Sequence, residues 1–245
     1  MVLPPRDIVL IGGSAGALVA VQEILRALPD DFAGSMFVVL HRGLDPLRQR
    51  LANLFSSQTS LPTDVAHDEQ PIEPGHVYLA PADHHMVLAN GLIRLERSPR
   101  EHRTRPSVDV LFKSGATQYG RRVVGVLLSG AWGSDGPSGL WQIKHHGGIT
   151  IVQDPKDAEF ADMPRAAIDN VATDYVMPVA KIGPKLAQLV SRSDATAAIP
   201  RRILIVEDES VVATNLQQSL TEMGYQARRA KRQSNSQSGN SPTWC

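Results

Sequence analysis

The sequence has little of what marks secreted, membrane-spanning or nucleic-acid-binding proteins. It contains one cysteine, Cys245, and a single thiol can form neither an internal disulfide nor a cysteine-based zinc site. Basic and acidic residues number 25 each, so no net charge favours binding to nucleic acid or an anionic membrane. No apolar run reaches the roughly 20 residues that cross a bilayer, and residues 1–6 lack the apolar core of a signal peptide. These absences predict a cytoplasmic protein with no membrane insertion and no nucleic-acid partner.

Apolar residues are plentiful, although aromatic side chains make up only 5% of the chain. A hydrophobic content of 42% in 245 residues suffices for the core of one large domain, or of one domain and a fragment. Apolar runs of strand length alternate with helical patterns, at residues 8–11, 36–40, 123–128 and 149–152. Shorter strands between Val77 and Leu95 indicate a β-hairpin insertion. The sequence predicts an α/β fold with a doubly wound, mostly parallel sheet, a β-hairpin insertion and a short βα fragment after it.

The composition changes near the C-terminal end of the chain. The polar stretch at residues 191–200, SRSDATAAIP, is typical of a linker. Residues 201–224 then predict a single βα unit, and residues 225–245 are polar and serine-rich, which favours a disordered tail. The main domain is accordingly predicted to cover residues 1–190.

The first candidate for chemistry is Ser14, in the G-x-S-x-G stretch at residues 12–16. The glycines permit a sharp strand-to-helix turn, which would place the Ser14 hydroxyl beside the free N–H groups of the following helix. Ser14 could instead cap that helix, or the turn could hold a phosphate. The spacing does not match the G-x-G-x-x-G fingerprint of dinucleotide-binding folds, which disfavours a nucleotide-binding module.

Two further candidates follow buried strands. His41 ends the run at 37–41, and Asp135 follows the run at 124–128 in a glycine-rich loop. Because ligands gather at the carboxyl ends of parallel strands, Ser14, His41 and Asp135 are predicted to share one edge of the sheet. A histidine there can act as a general base and an aspartate can orient it. The alternatives are a partly exposed histidine and an aspartate in an ordinary helix-capping turn.

Other charged and polar clusters are weaker candidates. The adjacent histidine pairs diverge in direction on a strand or helix, so neither forms a metal site alone. The arginine-rich run is interpreted as a solvated loop that could hold an acidic partner, and the acidic triplet has too few ligands for a magnesium site. These clusters are His84-His85, His145-His146, residues 100–105 and residues 207–209. No metal or other cofactor is predicted.

Six segments in order resemble the chemotaxis protein-glutamate methylesterases of the CheB type. They are IGGSAGALVAVQEIL, VVLHRG, PGHVYLAPADHHM, RPSVDVLFKSGA, VGVLLSGAWGSDGPSGL and VQDPKDAEFADMPRAAI, and they cover about residues 7–190. The resemblance implies a catalytic triad of Ser14, His41 and Asp135. It also implies hydrolysis of glutamyl methyl esters, and deamidation of glutamines, on the cytoplasmic helices of chemoreceptors. The receptor helices are thus the implied partners, with a histidine kinase or methyltransferase as further candidates.

Some positions depart from the family pattern. Ala15 stands where members often carry serine or threonine, Ala17 replaces a glycine, and the loop before Asp135 is one residue longer. That loop supplies a backbone oxyanion donor in the family, so Ala131 and Trp132 are both candidates, together with Ala15 beside the nucleophile. These changes bear on rate and substrate range, and they leave open a non-catalytic signalling adaptor that retains the fold.

The segment RRILIVEDES resembles the start of a response-regulator receiver domain. A receiver carries its phosphoacceptor aspartate at the end of its third strand, and this sequence turns polar before a second strand is expected. We therefore predict that phosphorylation does not control the protein through this fragment.

Overall fold

The computed structural model describes residues 6–41 and 48–191, and two short strands at 202–205 and 226–229. The chain divides into two compact units, one of Pro4–Ser193 and one of Met1–Leu3 with Asp194–Cys245. Along the first unit the elements are β1 (Ile8–Gly13), α1 (Ala17–Arg26), β2 (Ser35–Leu40), α2 (Arg48–Ser56), β3 (Thr63–Val65), β4 (Gln70–Pro71), β5 (Val77–Leu79), β6 (His85–Ala89), β7 (Leu92–Glu96), α3 (Val108–Tyr119), β8 (Val123–Leu127), α4 (Pro137–His145), β9 (Ile149–Gln153), α5 (Asp162–Asn170), β10 (Tyr175–Met177) and α6 (Val179–Ser191).

The first unit is built on a seven-stranded sheet in the order β10-β9-β8-β1-β2-β5-β3. Every neighbouring pair in this sheet is parallel. A second, three-stranded antiparallel sheet has the order β4-β7-β6. The predicted α/β fold with a mostly parallel sheet and a hairpin insertion is therefore confirmed.

The hairpin begins later than the sequence predicts. Val77–Leu79 belongs to the main sheet, between β2 and β3, and all three of its residues are buried. The hairpin itself is formed by β6 and β7. The apolar residues before and after Pro81 look alike in sequence. Those before it differ only because they lie between two other strands of the main sheet.

Both faces of the main sheet are covered, which explains the uninterrupted apolar runs of its strands. Alternate side chains of β1 point to opposite faces: Val9 and Ile11 lie in one hydrophobic cluster, with residues of α1, α2 and α6. Ile8 and Leu10 lie in another, with residues of α3, α4 and α5. Helices on both faces are the arrangement that parallel sheets require.

The strand order places three loops together. The chain passes from β1 to β2 on one side and later adds β8 on the other side of β1. The loops after these three strands leave the same edge of the sheet, at the point where the strand order reverses. Crevices at such switch points are the usual ligand sites of open α/β sheets.

The second unit shows two strands, β11 (Arg202–Ile205) and β12 (Gln226–Arg229), which pair in parallel. β12 lies in the stretch predicted to be unfolded, so that prediction is wrong for these four residues. Backbone hydrogen bonds to a neighbouring strand do not depend on apolar side chains, which is why composition missed the strand. The predicted linker from residue 192 onward and the predicted helix after β11 lie outside the described residues. Among the described helices, none combines the length and the hydropathy of a membrane-spanning segment.

Candidate active site

Ser14 lies in a tight turn between β1 and α1. Its backbone N–H donates to Ser129 O (2.9 Å), and its carbonyl accepts from Ala17 N (3.1 Å). Gly16 is the N-cap of α1 with φ 77°, and no side chain caps this helix. The proposed capping role of Ser14 is thus not seen. Within the part of the chain that the structure describes, the half-buried Ser14 hydroxyl makes no hydrogen bond, which leaves it available for chemistry.

Gly130 explains how the β8 loop approaches the serine so closely. A Cβ atom on Gly130 would lie 2.9 Å from Ser14 Cβ and would also overlap the Met163 side chain. Its backbone is held from both sides, since Gly130 N donates to Phe160 O (3.0 Å) and Met163 N donates to Gly130 O (2.9 Å). Only glycine lets the loop lie directly against the candidate nucleophile.

His41 follows the last residue of β2 and is fixed beside the serine turn. Its backbone N–H donates to Gly13 O (3.0 Å), so His41 and Ser14 follow paired residues of adjacent strands. The ring Nε2 atom lies 2.6 Å from Asp135 Oδ2, with 13% of the His41 side chain and 2% of the Asp135 side chain exposed. Two of the three predicted residues are therefore in direct contact, and the third lies on the neighbouring strand end.

The Asp135 carboxylate lies at the N-terminus of α3. It is nearly enclosed by donors, which are Ser107 Oγ (2.8 Å), Val108 N (2.8 Å), Asp109 N (2.8 Å) and Thr104 Oγ1 (3.2 Å). Burial alone would raise the pKa of Asp135, but the hydrogen bond and charge of His41, with the backbone N–H groups, outweigh it and hold the pKa below its ordinary value. The alternative of a turn in which Asp135 caps α4 is not supported, because Gly136 is the N-cap there and the hydrogen bonds of the Asp135 carboxylate run to the start of α3 instead.

Asp109 is the counterpart of Asp135, and the sequence reasoning missed it. This fully buried carboxylate accepts hydrogen bonds from Gly136 N (3.0 Å) and Gly139 N (2.6 Å) at the start of α4. Its other oxygen lies 3.1 Å from His102 Nε2. Each of the two aspartates thus stabilises the N-terminus of the helix that follows the other. The sequence does contain a sign of this role, because Asp109 stands between two valines in an apolar helix. A carboxylate buried in such a helix needs hydrogen-bond partners.

Burial raises the pKa of Asp109 above its ordinary value, and the nearby charge of Asp135 adds to this, while the Gly139 N–H opposes it. The two carboxylates are therefore shifted in opposite directions. Asp135 is stabilised as the anion that faces His41.

We expect Asp109→Ala to lower the free energy of unfolding by about 3 kcal/mol, because two buried backbone donors lose their acceptor. Asp109→Asn keeps an oxygen that can accept from both glycines, so its loss should be about 1 kcal/mol. Urea unfolding of the three proteins measures the difference. Equal losses in the alanine and asparagine variants would contradict the assigned hydrogen bonds.

His102, Asp109 and Asp135 offer ligand atoms that all lie within 4.8 Å of one another. Each carboxylate oxygen in this group already has at least one hydrogen-bond donor. A cation would have to displace backbone N–H groups at two helix N-termini, which are themselves positive. The donor set therefore fits a hydrogen-bonded pair of helix ends better than a metal centre.

The four histidines of the two adjacent pairs have structural partners, which fits the interpretation that neither pair forms a metal site alone. His85 is buried, with Nδ1 accepting from Ser107 N (3.2 Å) and Nε2 donating to Pro99 O (3.1 Å). His84 Nδ1 lies 3.1 Å from Ala82 O. His145 stacks on Trp141, and His146 Nδ1 lies 2.8 Å from Gln142 O.

The candidate oxyanion donors differ in how their N–H groups are used. Trp132 N lies 3.4 Å from Asp162 Oδ2, and the residue is 85% exposed with a backbone φ of 63°. For Ala15 and Ala131, no hydrogen bond of the backbone N–H is seen within the described ranges. Ala131 directly follows Gly130, which lies against Ser14. These contacts favour Ala15 and Ala131 over Trp132.

The chain is similar to several known proteins. The family model described as CheB methylesterase matches residues 9–186. A protein-glutamate methylesterase/protein-glutamine glutaminase from Anaeromyxobacter dehalogenans is 40% identical over 183 residues, which are 75% of this chain and 53% of that protein. A putative enzyme of the same name from Leptospira interrogans is 35% identical over 195 residues, covering 77% of this chain and 95% of that protein.

Among solved structures, the CheB methylesterase catalytic domain of Thermotoga maritima matches with a TM-score of 0.71 and 32% identity. The match covers 75% of this chain and 98% of that domain. The chain spans about half the length of the Anaeromyxobacter relative but nearly all of the Leptospira one. With the family model covering most of the first unit, this chain belongs to the CheB methylesterase family.

Proposed function

We propose that this chain is a serine hydrolase that removes methyl groups from glutamyl methyl esters on the cytoplasmic helices of chemoreceptors. The observation that carries the proposal is the 2.6 Å pair of His41 Nε2 and Asp135 Oδ2, with the His41 backbone bonded to Gly13, the residue before Ser14. The names of the relatives support both the ester substrate and deamidation of glutamine side chains. Action on such helices would place the enzyme in the cytoplasm.

The orientation of His41 assigns its two nitrogens. Asp135 accepts a hydrogen bond and is held as an anion, so Nε2 carries the hydrogen and Nδ1 keeps its lone pair. Nδ1 is also the ring nitrogen nearer to the His41 backbone, which lies beside the Ser14 turn. We therefore propose that Nδ1 takes the hydroxyl proton of Ser14 as Oγ bonds to the γ-carbonyl carbon of the substrate.

The reaction then proceeds through an acyl-enzyme. The carbonyl oxygen becomes an oxyanion, which the N–H groups of Ala15 and Ala131 stabilise. His41 returns its proton to the methoxy group, methanol leaves, and an ester to Ser14 remains. Water, deprotonated by His41, then attacks this ester and releases the glutamate and the free serine. For a glutamine substrate, ammonia leaves in place of methanol.

We also propose the predicted domain organisation, with catalytic residues 1–190, a linker at 191–200 and an incomplete receiver-like βα unit at 201–224. The first unit, Pro4–Ser193, supports the boundary of the catalytic domain. Association with a histidine kinase or a methyltransferase stays a prediction.

Labelling with a serine-directed fluorophosphonate tests the nucleophile separately from any receptor. We expect one phosphonylated residue, Ser14, identified by peptide mass spectrometry. Ser129, whose hydroxyl is engaged by Ala15 O (2.8 Å) and Phe160 N (2.9 Å), is the internal control and should stay unlabelled. An intact folded chain that takes up no label would support the adaptor function instead.

A further inference from the structure

The segment between β7 and α3 carries four arginines and runs along the candidate catalytic carboxylate. We call Arg97, Arg100, Arg103 and Arg105 the arginine rim. Thr104, between the last two of them, donates to Asp135 Oδ2 (3.2 Å). The segment that carries the arginine rim therefore contacts the candidate active site through the Thr104 side chain.

The positive charge of the arginine rim is only partly compensated. Asp83 accepts two hydrogen bonds from Arg105 (2.7 and 3.1 Å) and one from Arg97 (3.1 Å), with Arg100 at 3.8 Å. The hydrogen bond from Arg105, and then the charges of the arginines, lower the pKa of Asp83. A single carboxylate thus faces three guanidinium groups. The nearby Glu101 is paired with Lys113 (3.4 Å).

The exposed members of the arginine rim point to a role beyond local ion pairing. The side chains of Arg97 and Arg100 are 67% and 53% exposed. Arg105, in contrast, is 18% exposed and holds the loop through Arg97 O and Ser98 O. In a chain of zero net charge, this is a local excess of positive charge on the segment that contacts Asp135, and such an excess concentrates anions near it.

The turn that presents Arg103 is fixed in an uncommon backbone conformation. His102 and Arg103 have φ values of 48° and 64°, a region that residues with a Cβ rarely adopt. The turn is closed by Thr104 N and Oγ1, which both donate to Glu101 O (2.8 and 2.9 Å). It is tied to the site through Asp109 and Asp135. Such strain persists where the surrounding structure enforces it, often at ligand-binding loops.

We propose that the arginine rim binds an acidic stretch of polypeptide flanking the glutamyl ester, and so selects segments with several neighbouring carboxylates. This inference rests on the proposed function for its substrate. Guanidinium groups match carboxylates in geometry and charge. Exposed arginines on a segment beside the site act on encounter and specificity rather than on the chemical step.

Two synthetic peptides of equal length, each with one central glutamyl methyl ester, test the proposal. One carries four glutamates around the ester and the other four glutamines. At low salt we expect wild type to prefer the glutamate peptide in kcat/KM by about ten-fold. The preference should fall towards one in the Arg97→Gln/Arg100→Gln/Arg103→Gln variant, mainly through KM, and should weaken in high salt.

The matched control removes equal charge elsewhere, with Arg26→Gln, Arg121→Gln and Lys185→Gln. Arg26 is the last residue of α1 and Arg121 precedes β8. Lys185 lies in α6, over the ring of Tyr175 at the start of β10. All three lie towards the edge of the sheet opposite the candidate site. The control variant should keep the wild-type preference. No preference in wild type, or a preference that survives in the arginine variant, would overturn the proposal.

Failure of the proposed function is detected separately. Hydrolysis of N-acetylglutamic acid γ-methyl ester amide, which has no flanking charge, reports the catalytic centre alone. If wild type hydrolyses no ester, fluorescence anisotropy of both labelled peptides with wild type and the arginine variant still decides the proposal. Tighter binding of a single-stranded oligonucleotide than of the glutamate peptide would overturn it in favour of a nucleic-acid site.

Discussion

Replacing Ser14 with alanine is expected to abolish methanol release from methylated chemoreceptor membranes, with a loss in rate of about 10⁴-fold or more. In the proposed mechanism this hydroxyl forms the acyl-enzyme, and it is the source of the proton that His41 accepts in the first step. Gas chromatography of released methanol measures the rate directly. The fold should be unaffected, because the hydroxyl makes no hydrogen bond within the described structure.

The control for Ser14→Ala is Ser138→Ala, an exposed serine in the first turn of α4. It should release methanol at the wild-type rate. Substantial release by Ser14→Ala, with unfolding unchanged, would exclude Ser14 as the nucleophile. If wild type releases none while its fold is intact, a receptor ester is not its substrate, or the chain binds receptors without turning them over.

Replacing Asp135 with asparagine should have the second largest effect, a loss of about 10⁴-fold in kcat. An amide has one acceptor and one donor group where the carboxylate has two acceptors. The backbone N–H groups of Val108 and Asp109 and the Ser107 hydroxyl compete for the remaining oxygen. His41 Nε2 would face an N–H group, which favours the tautomer with hydrogen on Nδ1, and that atom could no longer accept the serine proton.

The same substitution should also destabilise the protein by about 2–3 kcal/mol, because charged hydrogen bonds at the start of α3 are lost.

Asp174→Asn is the matched control. That carboxylate has a lowered pKa: burial opposes the shift, and hydrogen bonds from Lys144 and Thr150 outweigh it. It lies before β10, at the edge opposite the site. Asp174→Asn should lose stability but keep its turnover. Similar losses of kcat in both folded variants would contradict a special role for Asp135.

The stability losses should depend on pH. A folded-state pKa below the ordinary 3.8 means that the Asp135 anion stabilises the fold above that pH, and that this contribution is lost as the pH falls through the lowered pKa. Urea unfolding of wild type and Asp135→Asn should therefore differ most near neutral pH and converge in acid. A gap that widens on acidification would contradict the assigned direction.

Much of the fold follows from local sequence. The runs at β1, β2, β8 and β9 are apolar throughout because both faces of the sheet are covered, and such runs between helical patterns identify a parallel sheet. The glycine-rich turns after β1 and β8 indicated where two loops pack closely against each other, as Gly130 does against Ser14. The boundaries of the hairpin and the strand at Gln226–Arg229 were not predicted, because both depend on which strands pair with one another in the folded chain.

For the candidate site, local sequence was sufficient to predict the residue types and the edge of the sheet where Ser14, His41 and Asp135 lie, because strand direction and turn chemistry are local properties. That Nε2 of His41 faces Asp135, and that Asp109 and Asp135 stabilise each other's helices, follows from the packing of the folded chain. These contacts join segments more than 25 residues apart in sequence. Their partners are set by how α3 and α4 pack on the sheet, which no periodicity or motif encodes.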